Sequence, residues 1–124
     1  MTPVLRRGDV VVVRLDPAEG REIRKTRPAV VLSNDAACAA DAVVQIVPLT
    51  AMPQRLLRPY EAAVVSAESG VDTPSRAVAN QLRTVSHDRV VRIQGHVTPE
   101  ELRAIERAVL IQLGLPTLGA AAQS

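Results

Sequence analysis

Short apolar runs broken by turn-forming residues fill most of the chain, and the spacing changes to a helical period only near the C-terminus. Val10–Val13 with Leu15, Pro28–Ser33 and Val43–Leu49 are rich in β-branched residues and too short for typical helices, so each predicts a buried strand. Gly8-Asp9 and Asp16–Gly20 supply turn chemistry on either side of the first. Pro28 is expected at the first position of the second strand, where no ladder donor is lost. Asn34-Asp35 is suited to cap a helical turn over Ala36–Ala40, and Met52–Pro59 forms a proline-bounded, arginine-bearing loop longer than a tight hairpin needs. Weaker patterns predict strands at Glu61–Val65, Arg76–Ala79 and Leu82–Val85, with another around Val90–Ile93, and a loop around Ser69-Gly70. Thr98-Pro99-Glu100-Glu101 then reads as a helix start, with a capping threonine, proline at the first helical position and glutamate three residues after the cap. Leu102, Ile105, Ala108, Val109 and Leu113 form its expected buried stripe, and Gly114 with Pro116 ends it. These elements predict a mainly β, α+β fold: a small, strongly bent sheet or barrel with the C-terminal helix packed across one face.

The length of 124 residues fits a single domain, with a core over about 6–115 and a frayed tail at 116–124. Hydrophobic residues make up 47% and charged residues 23%, the balance of a folded soluble protein. Tyr60 is the only aromatic residue, so the chain offers no aromatic platform for stacking bases. The formal charge is +2 and the sequence pI about 9.3, compatible with a nucleic-acid partner. Fourteen arginines accompany a single lysine, which points to coding bias, so clustering of the basic residues is more informative than their total. Cys38 is the only cysteine, excluding an intrachain disulfide or a cysteine metal cluster, and is expected to be a small buried residue. His87 and His96 lack zinc-motif spacing, and no metal or cofactor is expected. Gly8-Asp9 follows Met1–Arg7 too soon for a signal-peptide core and no apolar run approaches membrane-spanning length, so a cytoplasmic protein without membrane contact is expected.

The basic residues cluster in Arg21–Arg27, where Arg21, Arg24, Lys25 and Arg27 face one acidic residue, Glu22. Such a segment is either an ordinary solvated loop or a phosphate-binding one beside a sheet edge. Arg27 enters the second strand and Thr50 leaves the third, so pairing of those strands would bring a guanidinium and a hydroxyl together in a geometry suited to gripping a phosphate. Taken alone, Arg27 also fits a surface or ion-paired arginine, and Thr50 a turn residue. No nucleophile elbow, Walker loop, dinucleotide glycine pattern or paired metal-binding histidines occur. The carboxylates are scattered, so a phosphodiester enzyme built on this chain would be expected to work without metal.

Arg7-Gly8-Asp9-Val10, Leu15-Asp16-Pro17 and Arg27-Pro28-Ala29-Val30-Val31-Leu32-Ser33-Asn34-Asp35 together resemble the opening half of the MazF/PemK toxin family. Val47-Pro48-Leu49-Thr50 resembles that family's third-strand ending, Gln81-Leu82-Arg83-Thr84-Val85 its Gln-Ile-Arg-Thr segment, and Leu113-Gly114-Leu115 its close. The resemblance runs from about Arg6 to Leu115 and implies a homodimeric, SH3-like barrel that cleaves single-stranded RNA, such as mRNA, at short sequences without metal. It also implies inhibition by a cognate antitoxin, which should be acidic to cover Arg21–Arg27. By resemblance, Arg27 and Thr50 are the catalytic pair, Arg24 and Lys25 contact phosphates, and Asn80, Gln81 and Arg83 contact RNA. Without it, Gln81 and Arg83 are equally edge-strand polar residues. The implied reaction is attack of the RNA 2′-hydroxyl on its adjacent phosphate, giving a 2′,3′-cyclic phosphate and a 5′-hydroxyl, with Arg27 or water as the proton route to the leaving oxygen.

The chain departs from the family pattern at two points. Asn80 stands where some members carry a catalytic acidic residue, and no histidine lies between Leu15 and Arg27. The general base is therefore unassigned, with Glu19 and Glu22 the loop carboxylates available. Two alternatives follow: a CcdB-like gyrase poison on a related barrel, against which the bland Ala120–Ser124 end argues, and a non-catalytic barrel that binds RNA or protein.

Overall fold

A computed structural model describes residues 4–40 and 42–116 of the chain. Seven strands follow in sequence: β1 (Asp9–Arg14), β2 (Thr26–Val31), β3 (Val43–Ala51), β4 (Glu61–Val64), β5 (Ser75–Val78), β6 (Arg83–Ser86) and β7 (Val90–His96). A short helix, α1 (Asp35–Ala40), joins β2 to β3, and α2 (Pro99–Leu113) follows β7. The sheet runs in the order β4-β5-β3-β2-β1-β7, with β6 also paired to β3, and every ladder is antiparallel.

The longest strand organises this sheet. Val43–Ile46 of β3 pair with β6, whereas Leu49–Ala51 pair with β5, and Val47-Pro48 lie where one partner gives way to the other. The hydrogen bond from the Leu32 amide to the Gln45 carbonyl fixes the alternation along β2 and β3. It turns the nitrogen of Pro48 away from β2 and into that gap, so the missing donor breaks no ladder. Pro28 obeys the same logic by a different route than expected. It is the third residue of β2, not the first, because the Leu15 amide bonds the Lys25 carbonyl and β1–β2 pairing therefore begins at Thr26. That alternation makes Val12↔Pro28 a non-hydrogen-bonded pair, and pairing with β3 ends one residue later, at Ala29.

Both faces of the central strands are buried, which is why they read as continuous apolar runs. Val11, Val13, Ala29, Val31, Val44 and Ile46 pack on one side with Leu15, Val85 and Cys38 of α1. Val10, Val30, Val47, Leu49, Ala62 and Ala77 pack on the other, beneath Ile105 and Ala108 of α2. Ile105 is fully buried, a burial that contributes about 2 kcal/mol. The helix starts as its sequence predicts: the Thr98 hydroxyl accepts from the Glu101 amide, and the Glu101 carboxylate accepts from the Thr98 amide. Glu101 also accepts from the amides of Val65 and Ser66 and from the Ser66 hydroxyl, tying α2 to the end of β4. Burial opposes its charge, but the bond from the Ser66 hydroxyl and those from the Thr98, Val65 and Ser66 amides outweigh it and lower its pKa.

The end of α2 corrects one expectation. Leu113 is exposed, as are Ile111 and Leu115, because the apolar cluster beneath the helix reaches only as far as Val109. The barrel is not closed by a ladder either, since β4 and β7 end the sheet without pairing to each other. A 3₁₀ turn at Ala67–Ser69 after β4 lies directly on β7 instead. A Cβ on Gly95 would sit 2.4 Å from the Ser69 carbonyl, and one on Gly70 (φ 75°) 2.4 Å from the Gln94 carbonyl, so two glycines permit this backbone contact. Of the expected tail at 116–124, only Pro116 falls among the described residues.

Candidate RNA-binding and catalytic site

The two strand-borne candidates meet through the register of β2 and β3. Ala29 lies opposite Pro48, so the same register carried two residues further sets Arg27 opposite Thr50. The ladder itself stops at Ala29↔Pro48, so these residues stand where the strands begin to diverge, not within paired backbone. Alternation places them on one face: Arg27 follows the side of Ala29 and Val31, and Thr50 the side opposite the buried Leu49. That face is turned away from α2. Arg27 belongs to β2 itself and Thr50 to β3 itself, so both positions are set by sheet backbone and not by loop ends.

Arg27 is half-buried and its Nε donates to the Arg24 carbonyl at 3.0 Å. Among the described residues, no carboxylate comes within ion-pairing distance of its guanidinium. The anchored Nε orients the fork and leaves both terminal nitrogens available to an anion. Thr50 is half-buried, opposite Arg76 of β5. Thus Arg27 is half-buried with no ion-pair partner among the described residues, and Thr50 is a strand residue, not a turn residue.

The basic loop between β1 and β2 is held from β6 and the 3₁₀ turn before it, Ala79–Gln81. The Gln81 side-chain oxygen accepts from the Ile23 amide at 3.2 Å, and its nitrogen approaches the Arg21 carbonyl at 3.5 Å. Arg83 opens β6 opposite Ile46, donates to the Leu15 carbonyl at 3.2 Å and stands 3.9 Å from Glu22. Gln81 is therefore a turn residue whose amide is engaged with loop backbone, while Arg83 is a strand residue gripping the root of the same loop. Arg24 and Lys25 are exposed at the loop's end, and Lys25 adopts φ 69°, an unusual left-handed conformation that turns the chain into β2. Asn80 is exposed beside Gln81. Glu22 accepts from the Glu19 amide at 3.0 Å, closing a small turn in the loop.

Sequence reasoning missed a second charged group on this face. Glu61, at the start of β4, is buried and takes two bonds from Arg55, at 2.8 and 3.0 Å, and one from the Arg58 amide at 2.8 Å. Arg76 completes the group, with its Nε 3.3 Å from the same carboxylate. The Arg55 bonds overcome the cost of burial and, with the Arg58 amide and the Arg76 charge, hold the Glu61 carboxyl down to about 2. A carboxylate heading the apolar run Ala62–Val64 was the available signal, since such a group demands a cationic partner. Its partner on β5 becomes visible only with the β4–β5 register.

Other groups are elsewhere. Cys38 is buried, and burial first, then Asp35 and Asp9, raise its thiol pKa, so it is not an activated nucleophile. Among the described residues, no three His, Cys, Asp or Glu side chains are grouped to hold a metal ion. No helix among them is long and apolar enough to cross a membrane. A groove lies between α2 and the Leu32–Gln45 region, lined by Leu82, Val109, Leu110 and Leu115, and contains neither Arg27 nor Thr50. Its apolar lining suits a protein surface better than a phosphate.

Residues 6–113 match the family described as PemK-like, MazF-like toxin of type II toxin–antitoxin systems. The chain is 33% identical over 117 residues to the endoribonuclease MazF9 of Mycobacterium tuberculosis, covering 90% of this chain and 98% of that protein. A solved endoribonuclease from a mycobacterial species superposes with a TM-score of 0.75 at 25% identity, over 94% of this chain and 97% of that one. A mycobacterial endoribonuclease solved in complex with its cognate antitoxin gives 0.74 at 26% identity, over 91% and 98%.

Proposed function

The chain belongs to the PemK-like, MazF-like toxin family of type II toxin–antitoxin systems, and from that premise we propose that this endoribonuclease cuts single-stranded RNA without metal, through Arg27 and Thr50. The observation that carries the reading is their shared place: a guanidinium without a carboxylate partner and a hydroxyl, brought together on one face by adjoining strands. The RNA 2′-oxygen attacks the neighbouring phosphorus as the bond to the 5′-oxygen breaks. Negative charge builds on the non-bridging oxygens, where the fixed Arg27 fork stabilises it. Thr50 hydrogen-bonds the phosphate and orients the attack. The products are a 2′,3′-cyclic phosphate and a 5′-hydroxyl. Glu22, a carboxylate of the basic loop 3.9 Å from Arg83, is the candidate acceptor for the 2′-hydroxyl proton, while water protonates the leaving oxygen.

Arg24 and Lys25 meet flanking phosphates from the exposed end of the loop. Gln81 and Arg83 set the loop's shape, and through it select the RNA word, with the exposed Asn80 beside them contacting RNA directly. The chain acts as one domain in the cytoplasm, where its mRNA substrate is. It pairs with a second copy, supported by the apolar groove and the exposed Ile111, Leu113 and Leu115 at the end of α2. An acidic antitoxin segment inhibits it by covering the basic loop. The test is cleavage by Arg27→Ala and Thr50→Val beside the wild type. Each is expected to lower the cleavage rate at least about a hundredfold with the fold unchanged. A well-folded Arg27→Ala that cuts at the wild-type rate would refute the assignment.

A further inference from the structure

Arg27 flanks Thr50 on one side, and the other side carries an arginine that the proposed reaction does not use. Arg76 of β5 lies directly opposite Thr50 in the β3–β5 ladder. Across the face the order is Ala63, Arg76, Thr50 and, by extension of the β2–β3 register, Arg27. With strands about 4.8 Å apart, the two arginines start about 10 Å from each other with the hydroxyl between them.

We propose that Arg76 is an RNA-binding residue that holds the backbone phosphate next to the scissile one, an inference that rests on Arg27 and Thr50 acting at the scissile phosphate. Its guanidinium has unmet donors: Nε and Nη1 are buried without a hydrogen-bond partner, and 20% of the side chain remains accessible. Buried donors without acceptors are costly and uncommon in native proteins. Glu61 does not meet the need, because its Oε2 lies 3.3 Å from Nε without a hydrogen bond forming, while its oxygens take both prongs of Arg55 and the Arg58 amide. Two guanidinium groups around one carboxylate leave a net positive charge at the strand surface, where the part of Arg76 that remains accessible can meet an anion. The 3.3 Å approach of Nε to Glu61, which faces Val78, draws the Arg76 head along the strand and away from the row of Thr50. That displacement suits a neighbouring phosphate and not the one that Thr50 holds. Glu61 and Arg55 thus fix the Arg76 head before RNA arrives.

The experiment measures binding of full-length wild type, Arg76→Gln and Arg76→Lys to a mixed-sequence 2′-O-methyl RNA, which has no free 2′-hydroxyl and cannot be cut. Arg76→Gln should bind about tenfold more weakly, from loss of one charge-assisted contact. Its log–log salt dependence should be shallower by about 0.7, the value for one single-strand phosphate. Arg76→Lys should regain the slope and only part of the affinity, because the forked geometry is lost. Wild-type affinity and slope in Arg76→Gln would overturn the proposal and leave Arg76 as a partner of Glu61 alone. Should Arg76→Gln fail to fold, the Arg76 Nε–Hε resonance of the wild type decides: it should move in step with RNA binding, and a stationary resonance overturns the proposal. Cleavage plays no part in either readout. A wild type that leaves ordinary RNA intact therefore refutes the nuclease reading on which the position of the phosphate rests, whereas unchanged binding by Arg76→Gln refutes the contact itself, and the two failures are told apart.

Discussion

Replacing Glu61 with Gln removes one charge and almost no volume from the group that backs Thr50. The wild-type carboxyl is held at about 2 against an ordinary value of 4.5, chiefly by the bonds from Arg55. That difference corresponds to about 3 kcal/mol of folding free energy at neutral pH. The folded-state value lies below the unfolded one, so this stability is fully present above pH 4.5 and is lost as the pH falls toward 2. Loss of the charge also leaves the Arg76 guanidinium without its ion-pair partner, which acts in the same direction. Urea unfolding of wild type and Glu61→Gln at one protein concentration, across pH 2 to 7, reads the difference directly. At pH 7 the variant should be less stable by about 3 kcal/mol, the gap should narrow below pH 4.5, and the curves should nearly meet at pH 2. Other carboxylates titrate in both proteins and cancel in the comparison. Curves that run parallel across the whole range would show that Glu61 is not a charged anchor.

Three further changes probe the frame around the site. Glu101→Ala removes the acceptor for the Val65, Ser66 and Thr98 bonds and should cost about 2 kcal/mol or more in unfolding experiments; a loss below ~0.5 kcal/mol would mean that the tether of α2 to β4 carries little weight. Gly95→Ala drives a methyl group against the Ser69 carbonyl and should destabilise by about 2 kcal/mol, whereas unchanged stability would show that the 67–69 turn gives way easily. Gln81→Ala frees the Ile23 amide, whose hydrogen exchange should accelerate about tenfold while β1 and β2 stay protected. Unaltered exchange at Ile23 would mean that the loop is held by other contacts.

The parts of the fold that could be read in advance are those whose cause is local. β1, β2 and β3 announced themselves because burial on both faces writes an unbroken apolar run. The start of α2 was legible because its capping box is contained in four consecutive residues. The end of α2 was not, since Leu113 keeps the helical spacing of a buried residue and its exposure depends on where the cluster beneath stops. Closure of the barrel was equally hidden, because it depends on a turn being laid on β7 through Gly70 and Gly95 and not on any strand pattern. The meeting of Arg27 and Thr50 could be foreseen because each sits near the end of an obvious strand, whereas the catalytic roles proposed for them came from the family resemblance. Arg76 could not, because its meaning comes from two registers at once: β5 against β3 sets it beside Thr50, and β5 against β4 brings it to Glu61. Gln81 shows the opposite case. Its residue type and segment were recognised, but its bonds to the Ile23 amide and Arg21 carbonyl depend on where the folded loop lies.

The central claim is that the chain cuts RNA by the substrate's own 2′-hydroxyl, with arginine and threonine in place of a metal ion. Purified protein incubated in excess EDTA with a long RNA identifies the cleaved word from the new 5′ ends. The same word is then offered as RNA and with a single 2′-deoxy nucleotide on the 5′ side of the cut. The RNA should be cut in EDTA, with a 2′,3′-cyclic phosphate on one product and a 5′-hydroxyl on the other, and the deoxy-substituted strand should stay intact. Cleavage that appears only when magnesium is restored, or that proceeds equally on the deoxy-substituted strand, would contradict the claim.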